Sequence, residues 1–146
     1  MGLDMYLNAK RFLWFSEDAL ADNIKRNFPD LPEHMRVKEV TIEAMYWRKA
    51  NAIHKWFVDK VQGGEDNCSE FEVSLEQLEE LLAVIDEVLE NPERAGELLP
   101  PQAGFFFGGT DMDDWYWEDL KSTQSKLQEL FTRDWAHWDF YYRASW

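Results

Sequence analysis

Apolar Leu3, Met5 and Leu7 alternate with Asp4, Tyr6 and Asn8 in "GLDMYLN", the period-two spacing of a strand with one face in a core. A strand is therefore predicted at the start. In "SEDALADNIKRNF" the pattern turns helical, with Ser16 as N-cap, Glu17 and Asp18 suited to the positive end of the dipole, and Pro29 as a stop. Alternation returns in "RVKEVTIEAMYW" through Val37, Val40, Ile42 and Ala44. The phase slips between Val37 and Val40, which predicts a bulge there.

From Trp47 to Gln62 the spacing predicts a helix, ended by Gly63 and Gly64. On a wheel at ~100° per residue, Trp47, Ala50, Ile53, His54, Phe57, Val58 and Val61 fall in one core-facing arc. Arg48, Asn51, Lys55, Asp59 and Gln62 line another side, and Trp56, between Lys49 and Lys60, is the expected exposed aromatic. "FEVS" reads as a brief strand. Ser74 and Gln77 then have the spacing of a capping box for a helix with Leu75, Leu78, Leu81, Leu82, Ile85, Val88 and Leu89 on its apolar side.

"PERAGELLPPQAGFFFGG" holds three prolines and four glycines and reads as a structured loop rather than a regular element. "TDMDDWYWEDLKSTQSKLQELF" predicts a long helix capped by Thr110 or Asp111, with Leu120, Leu127, Leu130 and Phe131 on its buried side. "WDFYYRAS" is rich in strand formers and returns to the sheet. This order predicts an α+β fold. It is a single compact domain over residues 1–146, with a small mixed or antiparallel sheet that includes the N- and C-terminal strands, covered by about four helices.

Composition narrows the function. The 146 residues carry 15 Lys plus Arg against 29 Asp plus Glu, a net charge of −14, so the long-range field repels nucleic acid and anionic membranes. A direct nucleic-acid partner and a membrane are not expected. One cysteine, Cys68, allows no internal disulfide and fits a reducing cytoplasm. No apolar run spans a bilayer, no signal peptide is apparent, and "MGLDMY" lacks the Ser or Thr of a myristoylation signal.

The charge is uneven. Residues 64–100 hold twelve acids against Arg94 alone, whereas residues 36–60 carry a net +3. Within that basic stretch Arg48, Lys49 and Lys55 suit a phosphate or carboxylate, Asn51 a base edge or carbonyl, and Trp56 a stacked ring. The same cations also serve as the solvated face of a helix. His54 lies mid-arc and reads as a satisfied core histidine. "GFFFGG" sets Phe106 beside Gly108, where glycine lets backbone amides approach a ligand, or else the loop plugs the core.

Catalytic and metal patterns are missing. There is no GxSxG elbow, no HExxH and no P-loop. "DMDDWYWED" fails as a calcium loop because Tyr116 stands where glycine belongs and Ser122 where the bidentate glutamate belongs. No metal and no cofactor are expected, and an enzyme is unsupported.

"MGLDMYL", "WRKANAIHKWF", "GFFFGG" and "WYWEDLKST", in that order, resemble a family of small bacteriophage and prophage proteins over residues 1 to about 131. The resemblance implies no activity and no site residues. What it implies is a setting, an accessory protein in the cytoplasm of an infected bacterium. Three readings follow. The first is a non-enzymatic binder that sequesters a nucleotide-like anion, a host defence signal, through Arg48, Lys49, Asn51, Lys55, Trp56, Phe106, Gly108 and Trp115. The second is an acidic inhibitor that docks Glu76, Glu79, Glu80 and Glu87 on a basic host protein. The third is a small nucleotide-processing enzyme. The aromatic C-terminus "WDFYYRASW" suits an interface between copies in a homo-oligomer.

Overall fold

The opening alternation forms β1 (Asp4–Phe12), which buries Met5, Leu7 and Ala9 on one face and half-exposes Tyr6, Asn8 and Lys10 on the other. A computed structural model describes residues 2–14, 19–104 and 107–146. The expected cap Ser16 and the acids Glu17 and Asp18 lie outside the described residues. α1 (Ala19–Lys25) follows and buries no side chain.

β2 (Glu39–Arg48) pairs antiparallel with β1, and the register shifts where Leu7 faces Met45 and Asn8 faces Glu43. The extra residue is Ala44. The bulge therefore sits there and not between Val37 and Val40, and it keeps Val40 and Ile42 on the face of Met45 and Trp47 despite the odd spacing. Trp47 belongs to this strand, so the expected helix start at Trp47 is corrected. Its indole is buried as anticipated, and its N–H donates to the Thr123 hydroxyl at 2.8 Å.

The helix, α2 (Asn51–Lys60), begins later because Lys49 adopts a φ of 57°, which ends the strand and turns the chain. It ends at Lys60, two residues before the expected Gln62, with the glycines just beyond. Gly63 and Gly64 take φ of 64° and 85°, and the Gly64 amide reaches the Val58 carbonyl at 2.8 Å. β3 (Phe71–Val73) leads into α3 (Leu75–Glu90), whose capping box is complete: Ser74 Oγ accepts from the Gln77 amide and Gln77 Oε1 accepts from the Ser74 amide.

The Pro- and Gly-rich segment is more regular than expected. A 3₁₀ turn (Pro92–Arg94) and the single-turn α4 (Ala95–Leu98) precede its irregular part. α5 (Asp114–Leu130) is capped by Asp113, whose carboxylate accepts from the Tyr116 amide at 3.2 Å, in place of Thr110 or Asp111. β4 (Asp139–Ser145) closes the chain.

The four strands form one antiparallel sheet in the order β2-β1-β4-β3, with five α-helices among the described residues, an α+β fold. Strands β1 and β4, far apart in sequence, are the central pair. Their inner faces (Met5, Leu7, Phe140, Tyr142, Ala144), with Leu3 just before β1, join α2, α3 and α5 in one continuous core. Phe57 of α2 stacks flat on Tyr142, ring centroids 3.9 Å apart. No described helix is long and apolar enough to cross a membrane.

Candidate functional site

The turn between β2 and α2 sets up the site. Lys49 donates its amide to the Leu3 carbonyl at 2.8 Å, which pins the turn to the sheet. Ala50 then occupies the N-cap and offers no side-chain acceptor, and no acid stands in the first turn. Among the described residues the amides of Ala52 and Ile53 have no acceptor, although both residues are buried. First-turn amides have no intrahelical partner, and together with the dipole they make a helix start attractive to anions.

Ala52 and Ile53 line a pocket of about 380 Å³. Arg48, Lys49 and Ala50 to Ile53 form one wall, Gly108, Gly109, Asp111 and Asp113 a second, and Trp115, Tyr116, Asp119 and Leu120 of α5 a third. A Cβ on Gly2 would lie 3.3 Å from both Arg48 Nη2 and Lys49 Cε, so the two cationic side chains run over the same glycine. Arg48 reaches Asp4 at 3.4 Å on the surface. Lys49 forms no ion pair among the described residues, and its stem passes Gly108, where a Cβ would meet it at 3.5 Å.

Asn51 holds the second wall. Its Nδ2 donates to the carbonyls of Phe107 at 3.0 Å and Gly109 at 2.8 Å, and its Oδ1 accepts from the Gln102 amide at 3.0 Å. The expected base contact is thereby corrected, because both amide donors are already bonded to the loop. On the third wall the Thr123 hydroxyl accepts from Trp47 and donates to the Asp119 carbonyl at 2.6 Å, which fixes α5 against β2. Burial, with Asp113 and Glu118 adding to it and Lys126 opposing, pushes the Asp119 carboxyl up to about 6. Burial also raises the Tyr116 phenol to about 12, so it stays protonated and donates to the Leu99 carbonyl at 2.8 Å.

The residues singled out by sequence divide. Arg48, Lys49, Asn51, Gly108 and Trp115 line this pocket together, with Trp115 74% exposed at its edge. Lys55 and Trp56 do not join them. Lys55 pairs with Asp59 at 2.7 Å, and Trp56 is 5% exposed, not an open stacking surface. Both border a second hollow of about 440 Å³ beside Val84, Leu98, Leu99 and Pro100. Phe106 lies outside the described residues. Phe107 plugs the core, edge-on to His54 at 5.2 Å between ring centroids.

His54 is a satisfied core histidine. Nδ1 lies 2.6 Å from the Tyr142 hydroxyl and Nε2 2.9 Å from Asp66. Burial lowers its pKa despite the Asp66 bond, and burial raises that of Tyr142 well above the ordinary phenol. The neutral ring therefore accepts at Nδ1 and donates from Nε2. Glu76, Glu79 and Glu80 are exposed on α3, while Glu87 is half-buried and paired with Arg94.

Sequence reasoning missed Asp119 and the bare amides of Ala52 and Ile53. The available signal was the run Lys49-Ala50-Asn51, a helix start with a cation before it and alanine where Ser, Thr or Asp would cap. Comparisons with protein-family models, curated proteins and solved structures return no match.

Proposed function

We propose that this protein is a non-enzymatic binder that captures a small nucleotide-like anion in the pocket at the start of α2. The observation that carries the reading is the meeting, in one cavity, of the uncapped start of α2, the Lys49 ammonium, which forms no ion pair among the described residues, and the exposed Trp115 indole. Amides and cations hold an anion, and the face of Trp115 stacks on a ring. The volume falls within the roughly 300–1,000 Å³ of small-molecule sites. The phage resemblance supports a role as an accessory protein that withdraws a host defence signal.

Calorimetric titration against linear and cyclic nucleotides tests this. We expect at least one to bind at micromolar concentration and to be recovered unchanged. Absence of any binder in the panel overturns the reading, and turnover of the nucleotide points to the enzyme instead. A second reading, an inhibitor docked on a basic protein, is favoured by the unpaired exposed Glu76, Glu79 and Glu80 of α3. Reversing these three to lysine leaves nucleotide capture intact under the first reading and abolishes function under the second.

A further inference from the structure

We propose that the ligand of this pocket is a guanine nucleotide, held with its phosphate at the α2 end and the N–H edge of its base on the Asp119 carboxylate. The proposal rests on the nucleotide-binding reading above and specifies the base. Its starting point is that the pocket lining carries both signs of charge. Arg48, Lys49 and the start of α2 line it together with Asp111, Asp113 and Asp119, and the Asp113 carboxylate already accepts from the Tyr116 amide.

No ion pair joins Asp119 to Arg48 or Lys49 among the described residues. A phosphate is drawn to Arg48, Lys49 and the α2 start and repelled by the aspartates, so a nucleotide that reaches both Lys49 and Asp119 has one favourable orientation.

Asp119 is half-buried and its side chain makes no hydrogen bond among the described residues. At neutral pH it is ionised and can only accept, and a carboxylate with two free oxygens is best matched by two parallel donors. Guanine carries that edge, with N1–H beside its exocyclic amino group. Adenine and cytosine set one amino group beside an acceptor nitrogen that a carboxylate repels. Hypoxanthine keeps N1–H and lacks the amino group. Trp115, exposed at the pocket edge, supplies the stacking face for the purine.

The test compares GMP with IMP, and 3′,5′-cyclic GMP with 3′,5′-cyclic IMP, by calorimetry on the full chain and on Asp119→Asn. These ligand pairs differ by the amino group alone. We expect the guanine member to bind at least about tenfold tighter, because a site built to accept that donor loses a charged hydrogen bond without it. Asp119→Asn should collapse the ratio toward one and retain binding of both. Equal affinity of the paired ligands for the wild-type chain overturns the guanine assignment while the broader reading stands. A preference that survives Asp119→Asn overturns the role of Asp119. Failure of all nucleotides to bind removes both. Should Asp119→Asn not fold, the wild-type ratio alone still decides.

Discussion

At the C-terminal end of α2 the protein answers its own polar groups. The Phe57 carbonyl accepts from the amides of Val61 and Gln62 at 2.8 and 3.0 Å, the Val58 carbonyl from Gly64 at 2.8 Å, and the Lys60 carbonyl from the Gln77 side chain at 3.1 Å. Lys55 is matched by Asp59. At the other end Ala50 provides no cap, the amides of Ala52 and Ile53 have no described acceptor and Lys49 no counter-ion. The fold caps helices elsewhere, α3 with Ser74 and α5 with Asp113. One helix thus separates polar groups that hold the fold from polar groups turned toward a cavity, and substitutions at the two kinds of position should behave differently.

The largest effect belongs to the middle of the helix. His54→Ala leaves the Tyr142 hydroxyl without its acceptor and Asp66 without its donor beside a ring-sized hole. It should lower stability by about 4 kcal/mol, read from the shift in denaturation midpoint. Asn51→Ala follows. It removes three bonds to the 102–109 segment and should lower stability by about 3 kcal/mol. It should also abolish ligand capture, since Gly108 and Gly109 lose their tether. If Asn51→Ala bound nucleotide as well as wild type, the loop would not be a wall of the site.

How much of this was legible depends on the range of each cause. The capping box at Ser74 and Gln77, the glycine stop of α2 and the alternation of β1 are local, and the sequence carries them openly. The start of α2 was misplaced because Trp47, Ala50 and Ile53 fit a helical arc, whereas a positive φ at a lysine leaves no mark in composition. Trp56 was misread because a wheel assumes one buried face. α2 has two, one toward the sheet through Phe57 and Tyr142 and one toward Leu98 and Pro100. Asp119 looked like one more acid in a helix start. What sets it apart is that it lines the same pocket as Arg48 at the end of β2, a meeting of residues far apart in the chain that no local pattern encodes.

A smaller effect sharpens the contrast between the ends of α2. Lys49→Gly relieves the left-handed backbone and deletes the cation together. Relief of ~1–2 kcal/mol, partly offset by the greater freedom of glycine in the unfolded chain, should leave the variant about 0.5 kcal/mol more stable. Its affinity for a phosphate-bearing ligand should fall about tenfold. Stability and binding moving in opposite directions is the signature of a residue kept for its charge. A fall in both would make Lys49 a structural residue like Lys55.

The smallest effect is in pH. The folded state holds the Asp119 proton up to about 6, above the ordinary carboxylate value, because burial and the Asp113 and Glu118 charges outweigh Lys126. This group therefore favours the folded state in acid, and that contribution is lost as pH rises through about 6. His54 acts the other way, since its lowered pKa makes the unfolded chain the better proton acceptor as pH falls below the ordinary histidine value. The two slopes oppose each other, so Asp119→Asn should make acid destabilisation steeper between pH 7 and 5. Because Asp119 is only partly buried, solvent screening should keep the difference below about 1 kcal/mol. The same proton should report on the ligand. A base that donates to the ionised carboxylate lowers its pKa, so the affinity of cyclic GMP, whose phosphodiester does not titrate here, should rise with pH through about 6. A flat profile in Asp119→Asn, with the rise intact in wild type, would tie the acidic wall of the pocket to the base and leave the phosphate to the bare end of α2.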